Sequence, residues 1–101
     1  MEIKNLIEKY SDDILDESNQ ERQNIAMTRV FTSIVNEMSE RIKEITDSNL
    51  SKKEQKAKMK QALKETNDKY VQFTAEINKR AGKTLLKPNG MEAILKKKIK
   101  F

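Results

Sequence analysis

Three concentrations of like charge are the places where this chain has the raw material for chemistry. Asp12, Asp13, Asp16 and Glu17 form an acidic group. Lys52, Lys53, Lys56, Lys60 and Lys64, with Lys58 beside them, form a basic run. The last residues carry Lys96, Lys97, Lys98 and Lys100 among Ile94, Leu95, Ile99 and Phe101.

In the acidic group, Asp12 and Asp16 are four residues apart, as are Asp13 and Glu17, so a helix sets each pair on one face. Hard cations favour carboxylate oxygens, but a calcium loop alternates its acids around a glycine, and no such pattern occurs here. The plainer reading is a solvated or salt-bridged surface. The sharper one is a docking patch for a basic partner. Neither a metal nor a cofactor is expected.

Catalysis is poorly provided for. Histidine and cysteine are both absent. That removes the usual general base, the strongest nucleophile and the commonest zinc ligands. Carboxylates and lysines need a pocket to be tuned for catalysis, and a thin helical bundle rarely makes one, so a non-enzyme is expected. Gly82-Lys83-Thr84 has the letters that close a phosphate-binding loop, but Ile77 stands where that motif requires its first glycine. The motif also needs a preceding strand. Gly82 reads instead as a helix cap.

The basic run repeats every four residues at Lys52, Lys56, Lys60 and Lys64, which makes a ridge on a helix. Phosphates would be drawn to it through counterion release. It holds no arginine for bidentate base reading and no interleaved aromatic for stacking. Binding to nucleic acid would therefore be nonspecific. A solvated ridge, or one paired with the acidic half of the chain, is the plainer reading. The closing segment, basic and amphipathic, suits a partner's groove or a fold back onto the body of the protein better than a lipid surface.

The elements that must position these groups follow from composition and periodicity. The chain has 101 residues, 36% hydrophobic and 37% charged, with two glycines and one proline. Ordinary domains are roughly 45–50% apolar and about 25% charged, so the core must be thin and the elements few and long. No apolar stretch approaches the roughly 18 residues that span a bilayer. The N-terminus lacks the basic start and apolar run of a signal peptide, and a cytoplasmic location is the expectation. Asn49-Leu50-Ser51 is a glycosylation tripeptide of the kind that arises by chance. Residues 1–50 hold six Lys and Arg against eleven Asp and Glu, a net −5, whereas residues 51–101 hold fifteen against five, a net +10. Such asymmetry suggests that the halves meet.

Residues 1–17 predict an N-terminal helix, with Ile3, Leu6, Ile7, Tyr10, Ile14 and Leu15 on one stripe and Ser11-Asp12-Asp13 as the place where it would bend. Ser18 and Glu21 have the spacing of a capping box that opens a second helix over about 19–47. Its seam is Met27, Phe31, Ile34, Met38 and Ile45, with Arg41 filling the missing heptad step. Val30, Val35 and Ile42 lie beside that seam, so this helix should meet two neighbours. Ser51 and Glu54 open a third helix over about 52–81, with Met59, Leu63, Thr66, Tyr70, Phe73 and Ile77 as its seam and Gly82 as its end. Folded about Asp47–Leu50, the two seams pair Met38 with Met59, Ile34 with Leu63, Phe31 with Thr66 and Met27 with Tyr70. Met91–Lys98 predicts a short helix after the turn at Pro88-Asn89-Gly90.

The expected fold is thus a single all-α domain, an antiparallel hairpin over residues 19–81 with a helix packed on it and a tail over 83–101. The expected function is a protein–protein interaction module: adaptor, inhibitor, chaperone-like or assembly factor. Its expected partner is another protein or a second copy, most simply in a dimer. The surface assigned to it comprises Asp12, Asp13, Asp16, Glu17, Val30, Val35, Ile42, Ile94, Leu95 and Phe101. The alternative is a nonspecific nucleic-acid-binding protein using the lysine ridge and Lys96, Lys97, Lys98 and Lys100. Membrane binding is not expected.

Overall fold

The computed structural model describes residues 2–87. They form three helices, α1 Ile3–Leu15, α2 Gln20–Thr46 and α3 Lys52–Ala81, and no strand occurs among the described residues. Short connections make α2 and α3 an antiparallel hairpin, and α1 packs against both. The expected fold class is therefore the observed one. The predicted helix over Met91–Lys98, and with it Ile94, Leu95, Lys96, Lys97, Lys98, Ile99, Lys100 and Phe101, lies outside the described residues.

Local chemistry sets the helix ends. Ser51 accepts from the Glu54 amide at 3.2 Å, satisfying one of the amides that the first turn of α3 leaves open. At the other end Gly82 takes a left-handed conformation, φ 71°, and its amide bonds to the Lys79 carbonyl. The start of α2 differs from the capping box expected at Ser18. Asn19 is the cap, accepting from the Arg22 amide at 3.1 Å. Ser18 instead turns its amide and its hydroxyl back to the Asp16 carboxylate. Asparagine caps as well as serine does, and Asp16 competes for the serine. Across Ser11-Asp12-Asp13, α1 runs unbroken. Ser11 is buried there, and its hydroxyl accepts from Arg80 Nη1 at 3.5 Å.

The core takes Leu6, Ile7, Tyr10 and Ile14 from α1, Ala26, Val30, Ile34 and Met38 from α2, and Leu63, Tyr70, Phe73 and Ile77 from α3. On α2 the most deeply buried residues step by four, and the expected seam is only partly right. Val30, assigned to a partner surface, is fully buried, whereas Met27, Phe31 and Ile45 are half-buried. The reason is geometric. The apolar arc of α2 meets both α1 and α3, so its middle is sealed from two sides and its edge is not. Phe31 packs at a tilt against Tyr70, ring centroids 5.1 Å apart, one turn further along α3 than the expected pairing with Thr66. The buried Thr66 and Thr74 hydroxyls donate to the Ala62 and Val71 carbonyls of their own helix.

Two substitutions separate the capping readings. Asn19→Ala is expected to cost ~1 kcal/mol and Ser18→Ala clearly less. Denaturant titration of both variants measures the order. Gly82→Ala is expected to cost ~1 kcal/mol as well, wholly from backbone conformation, because an added Cβ meets nothing within 4 Å. A drop in thermal midpoint of roughly 4–8 °C is the corresponding signal.

Candidate interaction surface

α1 is 13 residues long against 27 for α2 and 30 for α3, so it covers one flank of the hairpin for less than half its length. Ser11 lies at Arg80, and Ile3, Lys4, Ile7 and Glu8 share a shallow depression with Gln72, Glu76 and Arg80. α1 therefore runs alongside the second half of α3. Further towards the loop on this flank, ion pairs take over from the helix. Lys69 Nζ lies 2.8 Å from Glu37 Oε1, and Arg41 Nη1 lies 2.6 Å from Glu65 Oε2. Burial pushes the Glu37 carboxyl upward, but its hydrogen bond and attraction to Lys69 pull the other way, and the net shift is downward from 4.5. Glu65 is held below its ordinary value mainly by its hydrogen bond to Arg41, with Gln61 adding to it. Burial alone raises the Tyr70 phenol.

The acidic group is largely consumed within the fold. Arg22 reaches Asp13 at 2.5 Å and Asp16 at 3.6 Å, and Lys83 reaches Glu17 at 2.6 Å. Asp12 is exposed. Four carboxylates at the C-terminal end of α1 oppose the helix dipole, and these two cations offset that. Among the described residues no group of three or more acidic, histidine or cysteine side chains is placed to hold a metal.

The other flank of the hairpin has no helix over it among the described residues. Its α2 wall is Met27, Phe31, Val35 and Ile42, all half-buried and packed at the margin of the core. Its α3 wall follows from helical spacing. Lys56, Lys60, Lys64, Asn67, Val71, Thr74 and Asn78 step by three and four, on the side away from Gln72, Glu76 and Arg80. Val71 is 39% exposed. Ser51, Lys52, Lys53, Lys56, Lys58, Lys60 and Lys64 are all exposed, and none of these lysines enters an ion pair among the described residues. The expected pairing of the acidic and basic halves does occur at Glu37–Lys69 and Glu17–Lys83, but it bypasses the ridge. Ile45 and Lys58 share a second hollow with Arg41, Glu44 and Gln61. Met59, in the expected seam, is half-buried.

Asn78 anchors the far end of the uncovered flank. Its Oδ1 accepts from the Leu85 and Leu86 amides, each at 2.8 Å, and its Nδ2 donates to the Leu86 carbonyl at 2.9 Å. This seats Leu85 and Leu86 beside Ile14, Gln23 and Met27. Nothing marks Asn78 in the sequence beyond its being a polar residue one turn before a glycine cap. Asn67 Oδ1 is sealed from solvent with no hydrogen-bond partner among the described residues.

No protein-family model, no curated protein and no solved structure matches this chain. Among the described residues no helix is long and apolar enough to cross a membrane.

The lowered Glu37 value implies a pH dependence. A carboxyl whose folded pKa lies below its unfolded one adds stability that is complete above 4.5 and is lost as the pH falls through the lower folded value. Glu37→Gln is therefore expected to narrow the gap between thermal midpoints measured at neutral pH and at about pH 3. An unchanged gap would remove Glu37 from the acid response.

Proposed function

We propose that this protein is a non-enzymatic protein–protein interaction module, of the adaptor, inhibitor, chaperone-like or assembly-factor kind, working through the hairpin flank that α1 leaves uncovered. The observation that carries this reading is the row Met27, Phe31, Val35 and Ile42. These side chains pack at the core margin and are only half-buried over most of the length of α2. Covering such a row releases water from apolar surface, worth about 25 cal/mol per Å². A helical pair already formed offers it without the cost of ordering a backbone.

A second reading, a nonspecific nucleic-acid accessory protein, draws on a different observation: the ridge lysines are exposed and have no intramolecular acid among the described residues. The two readings separate in one experiment. The full chain and a Val35→Ser/Ile42→Ser variant are used to capture partners from native lysate, with and without nuclease. Under the interaction reading, a protein stays bound to the wild type after nuclease treatment and is lost from the variant, while circular dichroism shows unchanged helicity. Material that disappears on nuclease treatment, and depends on Lys56 and Lys60 rather than on Val35 and Ile42, would instead favour the second reading.

A further inference from the structure

We propose that the uncovered flank seats an acidic amphipathic α-helix from a different protein. This rests on the interaction reading and adds the chemistry of the partner. The flank carries two features in succession along its length: Phe31, opposite Tyr70, and Val35 towards the base, then Ile42 and the ridge of Lys56, Lys60 and Lys64 towards the loop. Successive lysines in that row rise by about 6 Å along α3 at ~1.5 Å per residue. Carboxylates four residues apart on a neighbouring helix repeat with the same rise, so a helix with acids at that spacing meets each lysine in turn. Its apolar stripe then closes on Phe31, Val35 and Ile42, which is the helix-in-groove mode of recognition.

Other occupants fit less well. A nucleic-acid backbone would neutralise the lysines and leave the apolar row in water. A second copy offering the same flank would set lysine against lysine. A second copy docking through another face would have to bring acids such as Asp12, Glu40 or Glu44 to the ridge, and these carry no apolar row between them to meet Phe31, Val35 and Ile42. The chain's own closing segment carries Lys96, Lys97, Lys98 and Lys100, the same sign as the ridge it would meet.

The test uses the full chain and three labelled probes, followed by fluorescence anisotropy at low and at physiological salt. One probe is a synthetic helix of about 18 residues, five turns long, with a leucine stripe and glutamates elsewhere. A second has lysines in place of the glutamates, and the third is a DNA duplex. The glutamate peptide is expected to bind most tightly. Lys56→Glu with Lys60→Glu should weaken it by roughly tenfold or more and shift preference to the lysine peptide. Val35→Ser, with its fold verified by circular dichroism, should also weaken it. Failure of the glutamate peptide to bind, or indifference to the charge reversal, overturns the proposal. A lysine peptide that binds as tightly and depends on Val35 overturns the acidic partner alone and leaves the interaction flank standing. Duplex DNA binding more tightly than either peptide, falling steeply with salt and unaffected by Val35→Ser, overturns both.

Discussion

The mismatch in length between α1 and the hairpin governs the rest of the molecule. A two-helix pair has two open flanks, and among the described residues one short helix lies against them. α1 covers less than half the length of one. Where it stops, Glu37–Lys69 and Arg41–Glu65 bridge α2 to α3. Exposed ion pairs contribute little to stability, of order 0–1 kcal/mol each, so these fix the helices relative to each other more than they hold them together. Beneath α1 the packing is of another kind, with Leu6, Val30, Phe73 and Ile77 fully buried. The result is a body 50 × 22 × 18 Å, with a three-helix end and a two-helix end.

The distribution of charge follows the same division. At the three-helix end, acids and bases find each other: Arg22 with Asp13 and Asp16, Lys83 with Glu17, and Arg80 with Glu76. At the two-helix end the ridge lysines make no ion pair among the described residues, although Glu40, Glu44, Asp47 and Glu54 lie on the same part of the hairpin. The acidic character of the first half of the chain sits mostly on α1 and the start of α2, which lie away from the opening turns of α3. A net-charge count over halves does not see this, because it ignores which turns of each helix end up side by side.

The three helices, their order and most of their bounds were legible in the sequence, because long apolar stripes without glycine or proline leave few alternatives. Ser51 was legible as a cap because Glu54 follows it at capping-box spacing, and Gly82 because it is the only glycine near that helix end. The start of α2 was not, because Ser18 and Asn19 are both good caps and Asp16 decides between them by taking the serine. The centre of the α2 stripe was also misplaced. Heptad spacing picks out one neighbour, whereas two neighbours move the deepest positions to Ala26, Val30, Ile34 and Met38, the line between them. The uncovered flank was visible only as a second apolar set beside the seam. Which of its members stay half-exposed depends on where α1 lies, and that is a tertiary fact. Asn78 had no signature, since its three hydrogen bonds go to the backbone of residues beyond the helix end.

A helix pair that is clamped at one end and only edge-joined at the other does not have a single stiffness. Residues near Asp47–Ser51 lean on one neighbouring helix, while those near Ile14 and Ile77 lean on two and on Leu85 and Leu86 as well. Opening free energies track that difference in packing. The turns beside the loop are therefore the ones to fray first, while the Asp47–Ser51 link and the Gln55 bonds to the Thr46 and Ser48 carbonyls keep their two chain ends together.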